Sequence, residues 1–213
     1  MKRLPLFCVL SVGLFASGCV GFYTDMSHLS EQELEWTNCY NIGDTVLFYS
    51  DRGKVDTLAV DFKELNNISN PFFIHFLDDY MGDKYNAKSM YAFYIKNSSD
   101  SIRGVLKMEK LVEKDSIEWD LRLFNRYTVS WPYTHDFKAD RNIYRGDNPI
   151  KVRSVVFGNK LLHDCILVDD SNSELITNIP EDADTIQSFI VSKDFGLICY
   201  KYSNGEEFCR RLD

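Results

Sequence analysis

The chain has 213 residues with 24 basic against 32 acidic side chains, a formal net charge of −8. That balance, with no Lys/Arg cluster anywhere, excludes a nucleic-acid partner, because a phosphate polymer needs a basic stripe. The length suits one domain with a real core, and the 14% aromatic content, dominated by Phe and Tyr, favours sheets over helices.

The N-terminus reads Met1, Lys2, Arg3 and then LPLFCVLSVGLFASG, a positive head before a short apolar run. This is the form of a secretory signal, too short to span a bilayer comfortably. The residues that close it, Ala16, Ser17 and Gly18 before Cys19, resemble the lipobox of bacterial lipoproteins, although the place three before the cysteine holds Ala16 where Leu is usual. The resemblance implies that residues 1–18 are a lipoprotein signal peptide and that Cys19 becomes the acylated first residue. Acyl chains gain about 0.8 kcal/mol per buried methylene, so they can hold a domain on a membrane without a transmembrane helix. Removing the first 18 residues takes Lys2 and Arg3 with them, leaves 195 residues and moves the charge to −10.

Residues 19–29 have no clear period and read as a tether, followed by a single β-rich domain over 30–213. SEQELEW from Ser30, with Glu33 three residues on, is a capping box for one short N-terminal helix. TVLFYS (45–50) and TLAVDF (57–62) flank a turn at Gly53 and form a hairpin. Alternating runs follow at 89–96, 102–112, 116–124, 151–157, 165–170, 188–193, 196–202 and 206–212. The expected fold is mainly β: an antiparallel sheet forming a sandwich or a half-barrel-like wrap. Two long connections, 63–87 and 130–149, carry Phe72, Phe73, Phe76, Tyr80, Trp131, Tyr133 and Phe137, which either line a groove or cap the ends of the sheet.

The stretches CYNIGDTVLFYSDRGKVDTLAV (39–60) and FIVSKDFGLICYKYSNGEEFCR (189–210) resemble small envelope lipoproteins of Bacteroidetes. The resemblance implies an envelope location and a β-rich domain, and carries over no catalytic residue. Bacteroidetes glycosylate exported proteins on Asp-Ser/Thr-aliphatic triplets. Five occur here, at Thr45, Thr57, Ser101, Ser116 and Thr185. Ser101, Ser116 and Thr185, in or beside turns, are the expected O-glycosylation sites; Thr45 and Thr57 qualify only if their strand starts are exposed. The residues after Cys19 lack the acidic cluster associated with surface export in these lipoproteins, which points to the periplasmic face of the outer membrane.

Without Cys8 and Cys19, four cysteines remain: Cys39, Cys165, Cys199 and Cys209. An exported protein invites disulfides among them. A two-residue Asn-Gly turn in YSNGE would set Cys199 opposite Arg210. A three-residue loop with Gly205 left-handed sets Lys201 opposite Glu207, Tyr200 opposite Phe208 and Cys199 opposite Cys209, and these pairs favour it. A Cys199–Cys209 bond is then available; the alternative is two buried thiols.

Catalytic and metal patterns are thin. His163, Asp164 and Cys165 put a base and a nucleophile on one strand face, without a nucleophile elbow or metal spacing. His75 and His135 lack a second ligand at metal spacing, and the acidic groups Asp78–Asp79, Asp169–Asp170 and Glu181, Asp182, Asp184 lack the pattern of a calcium loop. No catalytic residue, metal or cofactor is therefore expected. The leading expectation is a lipid-anchored, non-enzymatic binding or scaffolding module that contacts the membrane through its lipid and a glycan, lipid or envelope protein through its surface. The alternatives are a half-barrel carrier of lipid or lipoprotein, which needs an apolar cavity, and an envelope-polymer hydrolase, which needs a carboxylate pair in a cleft.

Overall fold

The computed structural model describes residues 19–75, 84–96, 101–113, 116–130, 152–175 and 184–212. The chain begins with β1 (Cys19–Phe22) and β2 (Asp25–Met26), followed by α1 (Glu31–Asn38). A hairpin of β3 (Thr45–Ser50) and β4 (Val55–Asn66) comes next, then β5 (Phe72–His75) and β6 (Lys84–Tyr85). The long central strands are β7 (Ala87–Lys96), β8 (Ser101–Leu111), β9 (Ser116–Leu123) and β10 (Arg126–Ser130). Last are β11 (Val152–Phe157), β12 (Lys160–Val168), β13 (Glu174–Leu175), β14 (Ile186–Ser192), β15 (Gly196–Tyr202) and β16 (Glu207–Arg210).

Twelve strands form one sheet in the order β11-β12-β14-β15-β16-β3-β4-β7-β8-β9-β10-β13, antiparallel throughout. It curls into a half-barrel, because rows of apolar side chains at period two must all reach one interior. Tyr91, Leu106 and Leu121 make one such row across β7, β8 and β9; Ser89, Met108 and Trp119 make the next. In a third row Gly104 lies between Phe93 and Leu123, and the Phe93 ring occupies the space a Cβ would need, 2.2 Å away. The core continues through Phe48, Leu58, Ile166, Ile186, Tyr200 and Phe208.

The curl brings β10 onto β14, although seven strands separate them within the sheet. The Ile186 amide donates to Asn125 Oδ1 at 2.8 Å, and its carbonyl accepts from Arg126 Nε at 2.7 Å. Arg126 is buried and also donates to Ser173 Oγ and Asp170 Oδ1.

The capping box forms: Ser30 Oγ accepts from the Glu33 amide, and Glu33 Oε2 accepts from the Ser30 amide. The helix then lays Trp36 edge-on to Trp119, with centroids 5.0 Å apart, and Thr37 Oγ1 bonds Ser89 Oγ at 2.6 Å. Tyr40, just beyond it, meets Tyr91 edge-on. The helix thus plugs one end of the roll.

Two expectations are corrected. Residues 19–29 are not a free tether: β1 pairs with β5, β2 pairs with β6, and Tyr23, Ser27 and Leu29 are buried. Short pairings of two to four residues carry no periodicity, so pattern alone missed them. The connection expected over 63–87 is shortened as well, because β4 runs on to Asn66 and β5 and β6 lie within it. A bulge beside Asp61 shifts the phase of β4 and sets Lys63 opposite Tyr91, which hid the continuation. Residues 1–18 and the stretch 131–149 of the second long connection lie outside the described residues. Among the described residues no helix is long and apolar enough to cross a membrane.

Candidate functional site

A buried polar cluster sits inside the end of the roll opposite α1. Asp56 lies on the inward phase of β4 with Leu58 and Val60, opposite Phe48. It is 2% exposed and accepts from the Tyr200 hydroxyl. Glu206, also 2% exposed, accepts from Ser50 Oγ at 2.6 Å and pairs with Lys54 Nζ at 2.8 Å. Burial drives the Asp56 carboxyl above its usual range; the Tyr200 hydrogen bond opposes this and the neighbouring Glu206 charge adds to it. Burial acts the same way on Glu206, but Lys54 and Ser50 outweigh it and hold the group below its usual range. One carboxyl is thus biased towards its acid form and its neighbour towards the carboxylate.

Such a pair is the chemistry of a hydrolase in outline. Here both side chains are nearly inaccessible, and each bonds to the protein's own side chains. Tyr200, itself 1% exposed, stacks on Phe208 with centroids 5.2 Å apart, and its hydroxyl is driven upward by burial and by Asp56. A substrate would have to displace Tyr200 to reach Asp56, and Lys54 and Ser50 to reach Glu206. Asp56 is legible in VDTLAV as an acid on the phase of Leu58 and Val60, although the same residue also opens an Asp-Thr-aliphatic triplet. Glu206 and Arg126, polar residues beside turns, gave no comparable signal.

Farther inside, the gap between β7, β8, β9, β14 and β15, lined by Tyr91, Phe93, Leu106, Leu121, Phe189 and Leu197 among others, has a volume of about 10 Å³. That is room for about one water and not for an acyl chain.

The His163–Asp164–Cys165 triplet does not assemble. Asp164 has φ +51°, and His163 and Asp164 together oppose Ser154, which makes a bulge. The bulge breaks the alternation that would have set His163 and Cys165 on one face. His163 is exposed, with Nδ1 3.0 Å from Ser154 Oγ, while Cys165 is buried and its thiol is held up by burial. Cys39 is a second free thiol, pushed up to about 11 by burial. Neither is an activated nucleophile.

The loop after Tyr202 adopts the three-residue form. Gly205 has φ +85°, the Tyr202 amide donates to the Glu206 carbonyl, and Cys199 and Cys209 stand opposite each other and are bonded. Cys199, Glu207 and Cys209 lie close enough to share a metal ion, but the disulfide leaves no thiolate for it.

Asp169 caps a turn by accepting from the Ser171 amide and hydroxyl, Asp170 pairs with Arg126, and Asp184 accepts from Asn204. Asp78, Asp79, Glu181, Asp182, Phe76, Tyr80, Trp131, Tyr133, His135 and Phe137 lie outside the described residues. Phe72 is 65% exposed, and the backbones of Phe73 and His75 belong to β5. Ser101 and Ser116 open β8 and β9. Thr185 is half-buried, its amide and carbonyl both bonded to Ser203; Thr45 is exposed and Thr57 half-buried.

On the convex face, Leu47, Tyr49, Val55 and Tyr94 share one side of β3, β4 and β7 by register. Leu47 and Val55 are exposed, Arg211 lies over the Tyr49 ring at 4.2 Å, and Lys96 lies over Tyr94 at 5.7 Å. Comparison of the chain with models of protein families, with curated proteins and with solved structures finds no match.

Proposed function

We propose that the protein is a lipid-anchored envelope module that works by binding or scaffolding, not by catalysis. It is held through Cys19 on the periplasmic face of an outer membrane and belongs with the small Bacteroidetes lipoproteins it resembles. The observation that carries this reading is the filled roll: core side chains and internally bonded polar groups occupy the described interior, so recognition falls to the outer surface. The apolar and cation-backed aromatic residues of the convex face suit that task, because rings of this kind offer contact area at little entropic cost. The carrier alternative draws no support from an interior gap of about 10 Å³.

Two measurements test the proposal. The intact mass of protein from native membranes should equal a chain beginning at Cys19 plus acyl groups, with the addition lost in Cys19→Ala; an unacylated native mass overturns the anchor. Hexose-sized increments in the same spectrum would report on Ser101, Ser116 and Thr185. A photoreactive residue at Val55 in the anchored protein should give a discrete cross-linked species in cells. No such species would overturn recognition by the convex face.

A further inference from the structure

The ribbon of β1 and β5 stands apart from the large sheet as a two-stranded sheet of its own. Its register is Cys19 with His75, Val20 with Ile74, Gly21 with Phe73 and Phe22 with Phe72. Isolated two-stranded ribbons are marginal in water. The body holds its base: the Tyr23 amide bonds the Pro71 carbonyl, Asn67 exchanges two hydrogen bonds with the Leu29 backbone, and the Ile68 amide bonds the Tyr85 hydroxyl.

Around that base, Leu65 is 53% exposed, Ile68 42% and Phe72 65%. The surrounding sequence is free of acids, lysine and arginine over both 19–24 (CVGFYT) and 65–75 (LNNISNPFFIH), in a chain that is 26% charged. An ordinary solvated face of this protein would not lack charge over two segments that pair with each other. The polar residues present, Asn66, Asn67, Ser69 and Asn70, are neutral hydrogen-bonding groups.

We infer that the β1–β5 ribbon, with Leu65, Ile68 and Phe72, is a bilayer-facing surface that seats the domain directly on the membrane carrying its anchor. The occupant is a phospholipid surface, because the ribbon starts at the residue proposed to carry the acyl chains. At about 3.3 Å per residue, Cys19 lies about 10 Å along the strand from Phe22 and so from its partner Phe72, within reach of the same headgroup layer. Uncharged apolar side chains beside neutral amides match that layer. The inference rests on the lipid-anchor reading and adds to it: the domain is docked and oriented, with the end of the roll that holds Asp56 and Glu206 directed away from the membrane.

The test uses the full-length lipidated protein in vesicles of mixed phosphatidylethanolamine and phosphatidylglycerol. An environment-sensitive fluorophore is placed at Phe72→Cys or, as the distal control, at Asn204→Cys, in a Cys39→Ala, Cys165→Ala background. Phe72 is exposed, so its replacement leaves the core intact. Brominated lipids should quench the label at position 72 several-fold more than the label at 204, with a blue shift only at 72. Equal, weak quenching at both positions in protein whose intact mass carries acyl groups would overturn the docked surface and leave the anchor standing. If the mass lacks acyl groups, the anchor fails, and quenching at 72 on added vesicles then decides the surface alone. Loss of exposure at 72 on self-association without lipid would assign the ribbon to a second copy of the chain and overturn the inference.

Discussion

Asp56 and Glu206 are shifted in opposite directions although the two carboxyls are neighbours. Glu206 is held below its usual range, so its contribution to stability is present above the unfolded-state value and is lost as the pH falls through the folded one. Asp56 is held above its usual range, so its contribution is complete below the unfolded-state value and is lost as the pH rises through the folded one. Glu206→Gln should therefore cost about 1 kcal/mol near neutral pH, since it removes the charge that Ser50 and the exposed Lys54 bond while leaving Lys54 free to return to water, and the deficit should close in acid. Asp56→Asn should do the reverse, comparing worst with the parent in acid and best near neutrality. Urea unfolding of both variants across the acid range checks this, and parallel slopes would refute the opposed titration.

At the level of the element, the closing hairpin is the clearest case of register read from local chemistry. Gly205 supplies the left-handed residue, and the chain then has one way to set Tyr200 on Phe208, from which the meeting of Cys199 and Cys209 follows. Cross-linking residues ten apart constrains the unfolded chain by about 3 kcal/mol in the loop-entropy account. The double variant Cys199→Ala, Cys209→Ala should lose stability of that order, and a reducing agent should destabilise the parent but not the variant. Most strands were legible for the same reason, since alternating runs such as SMYAFYIK and GLICYKY announce period two. Two kinds of feature stayed hidden. Bulges at Asp61 and Asp164 reset the phase where no pattern rule could foresee it, and β10 follows a two-residue turn whose first residue, Phe124, has φ +52° without a glycine to mark it. The buried acid at position 56 could be read from its phase, whereas the partners that tune it arrive from β15 and the turn before β16, about 150 residues away.

For the molecule as a whole, the roll depends on a few polar contacts between strands that are not neighbours in the sheet. Arg126 satisfies the Ile186 carbonyl, Ser173 and Asp170 from a buried position. Asp170 is exposed and can return to water, while the Ile186 carbonyl cannot. Arg126→Met, which keeps the apolar stem, should therefore cost about 2–3 kcal/mol, chiefly through lost charge-assisted bonds and one unsatisfied acceptor. Hydrogen exchange should find the Ile186 amide unprotected well before the amides of β7 and β8; uniform loss of protection would mean that Arg126 supports the core and not the closure.

The Arg126 bridge joins residues 60 apart in the chain, and it can form only after the intervening strands have found their places. Contacts of such long range are made late on a folding route, because their loop-closure cost must be met before they give anything back. Sealing of the roll thus belongs after the rate-limiting barrier. In stopped-flow experiments Arg126→Met should raise the unfolding rate and leave the refolding rate close to that of the parent. The latch therefore governs how long the finished roll lasts, and the central strands govern how fast it is built.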